Sequence, residues 1–186
     1  MDTRFTNVMS SLENGEQQAS ERLFTLVYEE LRKLAAARLA QERPGQTLQP
    51  TALVNEVFLR LVAPDHQKQW DSVGHFFASA SLAMRRILVE NARHKKRLKR
   101  GGGVVREDFS LDQISLTMDG DELLALDGAL DELDRIDPVK AKLVTLRFFG
   151  GMSIEQVCEV LGISRSTANR YWAFARAWLY QRLKNP

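Results

Sequence analysis

The sequence predicts an all-α fold of two small helical domains joined by a flexible acidic linker, the second domain built around a helix-turn-helix, and three observations predict it. Apolar residues recur at spacings of three and four along nearly the whole chain, with little of the alternation that a strand requires. Gly101-Gly102-Gly103 cannot continue a helix cheaply, and the residues after it, VVREDFSLDQISLTMDG, keep no sustained period. Charge is also segregated: the nets of residues 1–84, 85–106, 107–137 and 138–186 are −2, +8, −10 and +6, although the whole chain carries only +2. Two basic segments separated by an acidic one suggest two contacts with a polyanion and a spacer that avoids it. The domains implied are 1–100 and 120–186, with 101–119 as the linker.

The first helix runs from about Ala19 to Leu39 on a stripe of Leu23, Leu26, Val27, Leu31 and Leu34, and ERPGQ at 42–46 breaks it. A second spans about Thr51 to Val62 and stops at Ala63-Pro64-Asp65. Ser72 can cap a third, in which Phe76, Ala80, Ala83 and Ile87 share one face, and which turns almost wholly polar after Ala92. Beyond the linker, Leu123, Leu126, Leu130 and Leu133 begin another helix. Asp137 can cap the next, with Pro138 at its first position and Gly150-Gly151 at its end.

The last two helices carry the most specific pattern. In MSIEQVCEVLGISRSTANRYWAFARAWLYQRL, Ser153 and Gln156 form a capping box, Gly162 suits a left-handed helix end, and Ser164 can cap the final helix. Val157, Leu161, Ile163, Ala168 and Tyr171 would fill the angle between the two, which is the pattern of a helix-turn-helix. A helical wheel places Ala168, Tyr171, Ala175, Trp178 and Leu179 on the inner side of the last helix. Ser166, Asn169 and Ala173 then face outward, flanked by Arg165, Arg170 and Arg176. Short side chains let such a helix approach a major groove, Asn and Arg can pair with base edges, and flanking arginines can hold phosphates.

Arg93, Lys95, Lys96, Arg97, Lys99 and Arg100 crowd the end of the third helix with no acidic partner among them. Their mutual repulsion would be relieved by phosphates, with release of counterions. Upstream, Phe76 belongs to the apolar stripe, so His75 or Phe77 is the ring better placed to stack on an unpaired base. On the second helix, Asn55, Glu56, Leu59 and Arg60 lie opposite the apolar arc, and a leucine between a carboxylate and an arginine suits a protein-binding strip.

Other functions are disfavoured. The single cysteine, Cys158, cannot form an internal disulfide, and the three histidines have no ligand-like spacing, so no metal is expected. No catalytic residue or cofactor site is found: paired acids, an activated nucleophile and a phosphate loop are all missing. No segment has the length and apolarity of a membrane span or a signal peptide, and a cytoplasmic location is expected.

With these residues in place, the chain resembles the extracytoplasmic-function group of bacterial sigma factors, over nearly its whole length. ALVNEVFLRL is similar to that family's polymerase-clamp helix, HFFASASLAMRRILVENARHKKR to its −10 helix, and LRFFGGMSIEQVCEVLGISRSTANRYWAFARAWLYQRL to its −35 domain. Two features depart from the common pattern: GQTLQPTA replaces an acidic lead-in, and phenylalanines stand where many members have tryptophan. The resemblance implies that Asn55, Glu56, Leu59 and Arg60 meet core RNA polymerase. It implies that Arg93, Lys95, Lys96 and Arg97 hold promoter DNA near −10, and that Arg165, Ser166, Asn169 and Arg170 meet the −35 duplex; the helical wheel adds Arg176 to that −35 set. A monomer when free is expected, and an anti-sigma factor is left open as a further partner. The alternative reading is a stand-alone, dimeric operator-binding regulator using the same carboxyl-terminal motif. The acidic segment 107–137 is either a plain solvated spacer or a shield for one of the basic surfaces in the free protein.

Overall fold

The computed structural model describes residues 50–62, 73–98 and 120–184. These form six helices: α1 (Pro50–Val62), α2 (Val73–Leu98), α3 (Gly120–Ile136), α4 (Pro138–Phe148), α5 (Ile154–Leu161) and α6 (Arg165–Lys184), with no strand among the described residues. The fold is all-α, as the apolar spacing predicts. The expected helix at 19–39, the Ser72 cap, Lys99, Arg100 and the linker 101–119 lie outside the described residues.

The helix α2 is the hub. Phe76, Ala80, Ala83, Met84, Ile87 and Leu88 are buried along it, and it packs against α1, α3, α4 and α5. From α1 it receives Leu53, Val54 and Val57, all fully buried. From beyond residue 119 the same cluster takes Leu126, Leu130 and Leu133 of α3, Ala141 and Val144 of α4, Phe149, and Ala175 and Leu179 of α6. Burying each such Leu, Ile or Val contributes about 1.5–3 kcal/mol, so one continuous core ties together segments from both sides of residues 99–119. A second cluster joins Ala78 of α2 to Leu143, Leu146, Met152, Ile154, Val157 and Ala168. Truncating Ile87, which is fully buried in the first cluster, to Ala would open a cavity there and cost about 2–5 kcal/mol.

Local chemistry sets the helix ends. Asp137 has extended backbone (φ −151°, ψ 91°), and its carboxylate accepts from the Lys140 N–H at 3.0 Å and pairs with the Lys140 ammonium, while Pro138 occupies the first helical position. Those contacts, the Lys140 side-chain hydrogen bond first, hold the Asp137 carboxyl below the usual carboxylate range. At α5 the capping box is complete: Gln156 N–H donates to Ser153 Oγ at 3.3 Å, and Ser153 N–H donates to Gln156 Oε1 at 2.8 Å. Gly162 ends α5 in the left-handed region (φ 64°), which a side chain rarely adopts. Ser164 Oγ then accepts from the Thr167 N–H at 3.2 Å and starts α6.

Candidate functional site

On α6, Ala168, Ala175 and Leu179 are fully buried while Arg165, Ser166, Asn169, Arg170 and Ala173 are exposed and Arg176 is half-buried. The inner residues anchor the helix on α4 and α5, and packing leaves a narrow outer strip of small and donor side chains. Val157 and Ala168 are buried at the α5–α6 angle, with Leu161, Ile163 and Tyr171 packed around them. The strip is cationic at its start: Arg165 reaches Glu155 at 3.1 Å, an exposed pair that water and salt weaken. The Arg170 guanidinium lies 5.8 Å from the centre of the Tyr171 ring, which helps hold the arginine at the edge of the strip.

The basic end of α2 is organised differently. Arg93, Lys96 and Arg97 are exposed and Lys95 is half-buried. Arg93 donates to Asp127 Oδ2 at 3.2 Å and Lys96 reaches Asp121 Oδ1 at 2.7 Å, both on α3. Arg85 completes the set, donating from Nε to Asp127 Oδ1 at 2.8 Å, and from Nη2 to the Asp127 carbonyl at 2.9 Å and to Asp131 Oδ1 at 2.6 Å. The pairs advance along α2 as they recede along α3, so the two helices run antiparallel.

Arg85 and Asp127 were not among the residues that sequence reasoning singled out. Their side chains are each only 12% exposed, and only tertiary packing brings the two together across 42 positions of chain. A signal did exist: Arg85, Arg93 and Lys96 fall within about 80° of one another on a helical wheel, and Asp127 and Asp131 within about 40°.

His75 and Phe77, the candidate stacking rings, sit near the other end of α2. Both are half-buried, and Phe77 meets Phe76 edge-on (5.4 Å between centroids, 76° between planes) while packing against both apolar clusters. At 1.5 Å of rise per residue, His75 and Arg93 are about 27 Å apart along the helix. The rings and the cations therefore lie at opposite ends of α2.

On α1, Leu59 is 68% exposed between the exposed Asn55, the half-buried Glu56 and the half-buried Arg60. Arg60 donates to Glu56 Oε1 at 2.8 Å and to Glu90 Oε2 of α2 at 2.6 Å. That hydrogen bond is the main cause that holds the Glu90 carboxyl below its usual range and raises the Arg60 guanidinium. The guanidinium thus fastens the strip to α2, and Leu59 is left as its projecting apolar point.

Among the described residues, no cluster of His, Cys, Asp and Glu is arranged to hold a metal ion. No helix among them is long and apolar enough to cross a membrane. A family model described as ECF sigma factor matches residues 2–185. No curated protein and no solved structure gives a significant match.

Proposed function

The chain belongs to the ECF sigma factor family, and from that premise we propose how its residues divide the work. It is a sigma factor, a regulatory transcription protein that binds core RNA polymerase and directs promoter-specific initiation. In our reading, Asn55, Glu56 and Leu59 of α1 dock on the polymerase clamp, with Arg60 bracing the strip from α2. Arg93, Lys95, Lys96 and Arg97 hold DNA near −10, and His75 and Phe77 stack on bases at the far end of the same helix. Arg165, Ser166, Asn169, Arg170 and Arg176 read and grip the −35 duplex. The protein acts as a monomer in the cytoplasm, and an anti-sigma factor that covers one of these surfaces would silence it.

The observation that carries this reading is the exposed strip of α6, whose small donors and flanking arginines have the dimensions and charge that a major groove accepts. Each DNA contact alone has a small footprint. Docking on polymerase makes the second contact intramolecular, so the holoenzyme, and not the free factor, is the specific reader. Run-off transcription with purified core polymerase on a genomic promoter library tests this. Transcripts that start at a defined set of promoters, and vanish when the chain is left out, are expected. A dimer that binds inverted repeats and ignores core polymerase would overturn the assignment.

A further inference from the structure

We propose that Glu90, the single carboxylate of α2, is a positioning residue for polymerase docking: acting through Arg60, it sets the geometry of the α1 strip and keeps Glu56 available to the partner. The inference rests on the functional reading above and deepens its polymerase-binding part.

The place of Glu90 on α2 is the first observation. Arg85, Arg86, Arg93, Lys95, Lys96 and Arg97 give this helix its charge, and Glu90 is its one residue of opposite sign. On a helical wheel Arg86, Glu90, Arg93 and Arg97 fall within about 60° of one another, and all four are exposed. A carboxylate in the middle of that row repels phosphate. Its contribution lies in another direction.

That direction is given by its bonds. Arg60 turns both terminal nitrogens to Glu90, Nη2 to Oε2 at 2.6 Å and Nη1 to Oε1 at 3.4 Å, while Glu56 shares Nη2 through Oε1 at 2.8 Å. Two side-by-side contacts with one carboxylate fix the plane of a guanidinium, as a single contact would not. The orientation of Arg60 is thus set from α2.

The second observation is electrostatic. Glu56 and Arg60 stand four positions apart on α1, a spacing at which the two alone would pair and cancel. With Glu90 added, two carboxylates share one guanidinium, and one negative charge is left over. Arg60 is engaged on two sides within the chain, so the strip meets its partner through Asn55, Glu56 and Leu59.

Charge exchange tests the role. The full-length chain carrying Glu90→Gln is expected to bind labelled core polymerase at least about fivefold more weakly. Its urea midpoint should stay near that of the parent, because the pair is exposed. Arg60→Glu alone and Glu90→Arg alone should each weaken core binding, and the two together should restore it to within about twofold of the parent. Unchanged affinity of Glu90→Gln overturns the proposal. So does failure of the exchanged pair to restore binding, which would make Arg60 itself a polymerase contact.

Glu90→Gln is also titrated with a mixed-sequence single-stranded DNA oligonucleotide at low salt, without polymerase. Removing the one acid of α2 is expected to leave that affinity equal or higher. Loss of both affinities together, or a clearly lower urea midpoint, would mean a general loosening of α1 on α2 and overturns the assignment. A parent chain that fails to bind core sinks the functional reading and this inference with it. A parent that binds core, beside a Glu90→Gln variant that binds equally well, sinks this inference alone.

Discussion

Gly150 and Ser81 meet at a point with no room for a side chain: a Cβ at 150 would fall 2.1 Å from Ser81 Oγ and 2.6 Å from the Leu146 carbonyl. The residues are buried, and Ser81 Oγ is itself fixed by donating to the Phe77 carbonyl at 2.7 Å. This is where the turn after α4 seats on α2. Gly150→Ala is therefore expected to destabilise the protein by about 1–3 kcal/mol through overpacking, read as a lower urea midpoint. Adding Ser81→Ala should recover only part of the loss, because the Leu146 carbonyl stays in place.

The two ends of the α2–α3 ion-pair row should respond unequally. Asp127 is nearly buried against Arg85, and removing its charge leaves a guanidinium without its main partner in a dry site. Asp127→Asn is expected to cost about 3 kcal/mol or more. The Lys96–Asp121 pair is 63% and 38% exposed, so Asp121→Asn should stay within about 1 kcal/mol. Equilibrium unfolding of both variants checks the contrast, and equal losses would mean that the row is held by apolar packing alone.

How far these features could be read from the sequence depends on how local their causes are. The α5–α6 turn was legible almost atom by atom, because Ser153, Gln156, Gly162 and Ser164 act within three or four residues of themselves. Asp137 and Pro138 were legible for the same reason. The outer strip of α6 followed from period alone, since Ala168, Ala175 and Leu179 return to one side of the helix. The α2–α3 row was not legible beyond a general hint of acidic shielding. Arg85 and Asp127 are separated by 42 positions, and nothing in either neighbourhood chooses that partner. Arg60 illustrates the same limit: its place on the α1 strip is set by helix spacing, but its hold on Glu90 depends on how α1 lies across α2.

The Arg182–Glu132 pair makes stability depend on pH in a definite direction. Arg182 donates from Nε to Glu132 Oε2 at 2.6 Å and from Nη2 to Oε1 at 2.8 Å, joining α6 to α3. That side-chain hydrogen bond is the first cause that holds the Glu132 carboxyl below the usual range. A depressed carboxylate stabilises the fold above its unfolded pKa, and loses the effect as pH falls through the folded one. The thermal midpoint of the parent should exceed that of Glu132→Gln near neutral pH, and the gap should close below about pH 4. The pair is about two-fifths exposed, so the gap should be small and should shrink with salt.

Leu59 separates binding from folding. It is 68% exposed, so Leu59→Asp should change unfolding free energy by no more than about 0.5 kcal/mol. If it is the apolar point of the polymerase strip, burying a carboxylate there should lower affinity for core by about tenfold or more. Titration of labelled core with the variant measures this. Unchanged affinity would move the docking surface off this face of α1.

On α6, a base reader and a phosphate holder should fail in different ways. Asn169 lies on the outer strip and has an amide that can pair with a base edge, whereas Arg165 stands at the edge of the strip beside Glu155. Asn169→Ala should therefore cost about 1–3 kcal/mol of discrimination at one position of the −35 element and leave the salt slope nearly unchanged. Arg165→Ala should weaken all duplexes alike and reduce the slope by about 0.9. Glu155 sharpens the test, because it competes with phosphate for Arg165. Glu155→Gln should strengthen holoenzyme binding to every duplex without altering the preferred −35 sequence. Fluorescence anisotropy of the holoenzyme on single-substituted −35 elements across a salt series separates the outcomes. If Asn169→Ala weakens every sequence equally, α6 grips the backbone at that point and the base-reading role belongs to another residue.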